Sequence, residues 1–140
     1  PLDVLPLYVK AGAIIPMLRK NIDTLSPVAE VSDVESYANH AGPLTLRIFV
    51  GPDHTLTLFD GSEIRHRLEN ETWVISIEEG EVFTDGFQIE LVGLEGAPNS
   101  VFLDGEMVEL QPGMADHELD IQERFTLSIG PGSHELRLPR

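Results

Sequence analysis

From residue 44 to the end of the chain, apolar and polar residues alternate with a period of two, and turn residues interrupt the alternation roughly every ten positions. A period of two places every second side chain on one face of an extended strand, so each stretch can bury one side and wet the other. Leu44, Leu46, Ile48 and Val50 fall on one face, with Thr45, Arg47 and Phe49 on the other. Leu56 and Leu58 alternate with Thr55, Thr57 and Phe59, and Ile64, His66 and Leu68 with Glu63, Arg65 and Arg67. The same rhythm groups Trp73, Ile75 and Ile77, and then Phe87, Ile89 and Leu91. No window shows a sustained helical period. The pattern predicts an all-β chain with an antiparallel β-sandwich architecture, built as two small β lobes.

The turns follow from residue chemistry. Gly51-Pro52-Asp53-His54 breaks the pattern between two strands, which reads as a hairpin or strand pair. Asp60-Gly61, Asp85-Gly86 and Asp104-Gly105 are tight-turn dipeptides, because Asp tolerates and Gly favours positive φ. Asp104-Gly105 is the strongest hairpin signal in the chain. Residues 18–41 are different. They carry scattered polar groups without alternation and read as a long loop, of the kind that packs on a neighbour or serves function. A seam between the lobes is expected near residues 51–55, giving segments 1–53 and 54–140.

Charge narrows the partners. Nine Lys and Arg stand against 24 Asp and Glu, for a net charge of -15. Phosphate neutralisation needs clustered cations, so neither nucleic acid nor an anionic membrane is an expected partner. Apolar residues make up 41% of the chain, enough for a packed core. There is no cysteine, hence no disulfide and no thiol chemistry.

No catalytic constellation is legible, and no residue is assigned a catalytic role. Paired-carboxylate hydrolysis needs two acids across one cleft, whereas Asp60, Asp85 and Asp104 are explained as turn residues. His40, His54, His66, His117 and His134 are dispersed, with no close ligand pair, so neither a metal nor another cofactor is predicted. A sugar ring offers an apolar C–H face to exposed aromatic rings, and Tyr8, Tyr37 and Trp73 are the available platforms. Trp73 is in phase with Ile75 and Ile77, which favours the core. Tyr37, in the irregular loop, is the better placed for carbohydrate.

Two stretches carry a resemblance. The opening PLDVLPLYVKAGAIIP resembles a segment that follows the catalytic barrel in glycoside hydrolase family 31, the α-glucosidase and α-xylosidase family, matching at Pro1, Leu2, Asp3, Leu5, Pro6, Ala11, Gly12, Ile14, Ile15 and Pro16. PLTLRIFVGPDHTLTLFDGS is similar to the strands that lead from the proximal to the distal C-terminal β-domain of that family. Lys10 stands where the family usually has Arg, which keeps a cation and loses a planar, bidentate donor. LFDGS has one acid, Asp60, where the family often has two, so no metal or substrate role is carried over to Asp60.

The resemblance implies that residues 1–53 are an N-terminally truncated part of the proximal β-domain and residues 54–140 the distal β-sandwich. It implies a non-catalytic accessory region of a retaining α-glycosidase, whose two catalytic aspartates would lie upstream on a (β/α)8 barrel. The partner would be that barrel. The alternative is an independent carbohydrate-binding module that takes an oligosaccharide at Tyr37 or Trp73, and a structural adhesion-type sandwich is a third reading. If the opening packs on a missing neighbour, an exposed edge or apolar patch is expected around Leu5, Leu7, Ile14 and Ile15.

Overall fold

The computed structural model describes residues 8–29, 33–38, 42–98, 100–113 and 123–139. Among them there is no helix, and eleven strands form two sheets. The first sheet has the order β1-β2-β6-β10-β9. Its strands are β1 (Ile14–Met17), β2 (Leu44–Phe49), β6 (Phe87–Val92), β10 (Arg124–Ile129) and β9 (Gln111–Pro112). The second has the order β3-β4-β5-β11-β7-β8. It comprises β3 (His54–Thr57), β4 (Glu63–Glu69), β5 (Thr72–Glu78), β11 (His134–Pro139), β7 (Val101–Leu103) and β8 (Glu106–Val108). The all-β sandwich read from the alternation is therefore what forms.

Alternation decides which side chains meet. Leu44, Leu46 and Ile48 of β2 and Phe87, Ile89 and Leu91 of β6 are buried against Ile64 of β4, Ile75 and Ile77 of β5 and Leu136 of β11 in one apolar cluster. Burying each such side chain contributes roughly 1.5–3 kcal/mol. The cluster draws on both sides of the expected seam, with Ile14 and β2 before it and β4 onward after it.

One pairing differs from expectation. The stretch across Gly51–His54 reads as a hairpin, but β2 pairs with β1 and, in parallel, with β6, whereas β3 pairs with β4. The turn carries the chain from one sheet to the other. Parallel strands need a crossover, and here β3, β4 and β5 supply it. The other turns behave as read. Asp104 (φ 51) and Gly105 (φ 86) both take positive φ between β7 and β8, and Asn70 (φ 46) and Glu71 (φ 64) do so between β4 and β5. These are the dihedrals of a two-residue hairpin turn that matches the twist of the strands.

The crossover turn is held by close backbone contact. The amide of Ala13 donates to the carbonyl of Lys10 at 3.0 Å, which closes a turn with Gly12 at φ 81. A Cβ on Gly12 would lie 2.4 Å from the carbonyl oxygen of Pro52, and one on Gly51 would lie 2.2 Å from the amide nitrogen of Gly12. Both positions need glycine because two turns touch backbone to backbone.

The irregular stretch after β1 is tied down locally. Thr24 and Ser36 form an isolated bridge, and the Ser36 hydroxyl donates to the carbonyl of Ser26 at 2.5 Å. Among the described residues, β1 lies at the edge of its sheet. The expected apolar patch is only partly there. Ile14 is 7% exposed and part of the core, Ile15 is half-buried, and the large exposed apolar side chains of this stretch are Tyr8 at 93% and Val9 at 45%. Leu5 and Leu7 lie outside the described residues. Ile14 is covered within the chain because its partner Ile48 sits in the centre of the sandwich.

Replacing Gly12 with Ala should lower the unfolding free energy by about 2–3 kcal/mol, combining left-handed strain with a clash against Pro52. Gly61→Ala is the control, because Gly61 has φ +87 but open space around it. It should cost only about 1 kcal/mol. Urea midpoints of the two variants measure the difference, and equal losses would contradict a contact-limited Gly12.

Candidate functional site

Three side-chain arrangements, two polar and one apolar, stand out in the sandwich. The first lies inside it. His66 on β4 is wholly buried opposite Ile75 of β5. The indole Nε1–H of Trp73 donates to its Nδ1 at 3.1 Å, and the rings meet edge to face with centroids 5.6 Å apart. Because Nδ1 accepts, the ring proton of neutral His66 sits on Nε2, which donates to the carbonyl of Gly12 at 2.8 Å. One imidazole thereby links β5 to the turn before β1. Trp73, read from sequence as a weak sugar platform, is 3% exposed and belongs to the core, with its only donor engaged. Its edge lines a cavity of about 350 Å³ with Val50, Leu94, Pro98 and Leu138.

The second arrangement centres on Asp60. Sequence reasoning sees Asp60-Gly61 as a turn, and Gly61 does take φ +87. The carboxylate does more. Its Oδ1 accepts from the amide of Ser62 at 3.0 Å. Its Oδ2 accepts from the Ser62 hydroxyl at 2.9 Å and from the amides of Val82 and Phe83 at 3.2 Å each. Burial alone would raise the Asp60 pKa, but the hydrogen bonds from Ser62, Phe83 and Val82 outweigh it and hold the carboxyl below its ordinary value. Asp60 therefore fastens segment 80–83 under the turn between β3 and β4. The residue type was legible, but the partners at Val82 and Phe83 lie more than twenty positions away. The one local hint is Ser62 two residues on, a spacing that suits a side-chain-closed turn.

That fastening builds the third arrangement, an apolar groove of about 410 Å³. Leu18, Leu25, Tyr37, Leu58, Phe59 and Phe83 contribute to its lining. Phe83 is buried and forms a floor, with Phe59 edge-on at 5.9 Å and Tyr37 tilted at 6.1 Å. Phe59 is 79% exposed and Leu25 67%. Tyr37, the other residue singled out for carbohydrate, thus sits half-buried in an aromatic cluster, and its hydroxyl is buried with no hydrogen-bond partner. Phe59 and Phe83 were missed. The available signal was Phe59 itself, a large aromatic on the face that it shares with Thr55 and Thr57.

Elsewhere, His134 and Asp104 form a clasp at the surface. His134 donates from Nδ1 to Asp104 Oδ2 at 2.6 Å and from Nε2 to the carbonyls of Gly130 and Pro131 at 3.0 and 3.2 Å. All three partners are acceptors, so the geometry suits the imidazolium. Burial pulls the His134 pKa down, and the hydrogen bond to Asp104 with the two carbonyl contacts more than reverses it, leaving the value raised. Asp104, which also accepts from the amide of Glu135 at 2.8 Å, is lowered, first by that amide and then by His134. This clasp ties the β7–β8 turn to the start of β11. His54 is exposed, and His40 and His117 lie outside the described residues. Among the described residues, no three His, Asp or Glu side chains converge as a metal site would need.

The whole sandwich has counterparts among solved structures. It is similar to the cycloalternan-forming enzyme of Listeria monocytogenes solved with a pentasaccharide substrate, at 20% identity and a TM-score of 0.62, covering 99% of this chain and 14% of that one. It is likewise similar to the GH31 dextranase of Flavobacterium johnsoniae solved with isomaltotriose, at 17% identity and a TM-score of 0.59, covering 100% of this chain and 20% of that one. At these identities the likeness is one of fold. The chain spans a fifth or less of the length of these enzymes. No family model matches the chain, and no curated protein matches it.

Two outcomes test the polar arrangements. Asp60→Ala leaves two buried amides without an acceptor and should cost about 2–3 kcal/mol, read from chemical denaturation. The raised pKa of His134 means that its clasp contributes fully below the unfolded value of 6.5 and is lost as pH climbs through the folded value. The melting temperature should therefore fall over that window, and His134→Gln should flatten the fall. An unchanged slope in the variant would rule the clasp out as its source.

Proposed function

We propose that this chain is a non-catalytic C-terminal accessory region of a family 31-like α-glycosidase, and that it stabilises a catalytic barrel carried by the rest of that protein. The observation that carries the reading is the fold likeness. All or nearly all of this chain superimposes on 14 to 20% of much longer enzymes, one of them a GH31 dextranase. The opening motif, with Gly12 at a turn that only glycine can make, supports the same assignment. The reaction of the parent would be hydrolysis of a terminal α-linked sugar by two carboxylates that act as nucleophile and as acid/base.

A carbohydrate-binding module is the rival reading, and Tyr37 is its remaining support. Sugar hydroxyls need hydrogen-bonding side chains beside the aromatic face. The groove around Tyr37 is lined by Pro, Leu and Phe, and the Tyr37 hydroxyl is itself buried. The accessory reading is better supported.

The purified 140-residue chain should release no aryl alcohol from an aryl α-glucoside, whereas the full-length protein should do so. Turnover by the chain alone, abolished by a single Asp substitution, would overturn the reading.

A further inference from the structure

Among the described residues, His66 is the titratable side chain with no exposure at all. Only one protonation state fits its surroundings. Nδ1 accepts from the indole N–H of Trp73, and Nε2 donates to the carbonyl of Gly12. A second proton has one place to go, which is Nδ1. There it would face the indole N–H, and two donors would meet at the 3.1 Å that suits a donor and an acceptor. Trp73 would lose its acceptor, and a positive charge would be buried, which is costly without a counter-charge beside it.

No counter-charge is in place. Lys10 of the opening turn is exposed, and so is His54, the partner of His66 on β3. Asp53 accepts from the amide of Leu68. Arg65 and Arg67 alternate with His66 along β4 and pair with Glu63 and Glu69. On β5 the residue opposite is Ile75, and Glu78 lies exposed at the strand end. In the first sheet Arg47 and Glu90 pair with each other and alternate with the buried Leu46, Ile48, Ile89 and Leu91, so they face away. Among the described residues, the imidazole bonds only to Trp73 and Gly12.

The imidazole holds the turn through which the chain enters β1. That turn is closed by the amide of Ala13 on Lys10, and the carbonyl of Ala13 accepts from the amide of Phe49 at 2.9 Å. We infer that His66 is an acid-sensitive latch: the neutral ring holds turn 10–13 to the second sheet through Gly12, and protonation at Nδ1 releases that turn. The inference goes beyond the accessory-region reading and does not depend on it. Its sense is opposite to that of the His134 clasp, which is lost as pH climbs.

Urea midpoints of the wild type and of His66→Gln, measured between about pH 7 and pH 5, test the latch. One glutamine amide can accept from Trp73 and donate to Gly12 as the neutral ring does, but it takes up no proton. A histidine freed by unfolding is protonated below about pH 6.5, whereas the latch requires a neutral ring, so acid favours the unfolded chain. From pH 6 to pH 5 the unfolding equilibrium constant of the wild type should rise about eightfold more than that of the variant. His134 and Asp60 are present in both proteins, so their contributions cancel. Equal pH dependence would overturn the latch. Ring-nitrogen NMR and amide exchange on the wild type decide the matter even if the variant fails to fold. Acid should lower the protection of the Ala13 and Phe49 amides before that of Val50, whose amide donates to Val92 within the first sheet. Nδ1 should become protonated over the same pH range. Protonation of Nδ1 with those amides still protected, or loss of all three in a single transition, would show that no latch opens.

Discussion

A parallel pair of strands cannot be closed by a tight turn, and the pairing of β2 with β6 is parallel. Much else in the molecule follows from that pairing. The chain must leave the first sheet after Phe49 and return at Phe87. It spends the interval on β3, β4 and β5, which become half of the second sheet. Two layers arise because the excursion has its own apolar face, with Ile64, Ile75 and Ile77 in step, and that face can be buried only against Leu46, Ile48, Ile89 and Leu91. The point of departure is correspondingly strict. Gly51 and Gly12 touch through their backbones, so the exit from β2 and the entry to β1 are fastened as one joint.

Polar groups inside the sandwich are used as fasteners. His66 links Trp73 to Gly12 and so braces the same joint from the opposite sheet. Asp60 gathers amides from Ser62, Val82 and Phe83 and holds the turn after β3 over the approach to β6. Each is fully partnered, which is the condition for a buried polar group to stabilise. The groove depends on the second fastener directly, because Phe83 is both a donor to Asp60 and the floor beneath Phe59 and Tyr37. The apolar groove is thus a by-product of how the crossover is locked.

Much of this was legible in the residues, and the reason is local. A strand declares its buried face through a period of two, so the inward sets 44/46/48, 73/75/77 and 87/89/91 could be named one by one. A two-residue turn declares itself through positive φ, so Asp104-Gly105 could be placed. Partner choice is a different kind of information. Nothing near Gly51–His54 distinguishes a hairpin from a step between sheets, because the decision rests on whether β2 gains more by pairing with β3 or by lying between β1 and β6. Trp73 and Tyr37 show the same divide. Periodicity placed Trp73 in the core, but neither the imidazole that receives its N–H nor the groove that holds Tyr37 could be read from spacing.

By itself the sequence determined the β architecture, the core faces and the glycine turns, since these depend on neighbours a few residues apart. Tertiary structure alone decided the sheet order, the parallel pair, the carboxylate clamp of Asp60 and the convergence of Phe59, Leu25 and Tyr37 on one groove. These join residues dozens of positions apart, and the free energy that selects them comes from burial shared across two sheets, which no single stretch of chain encodes.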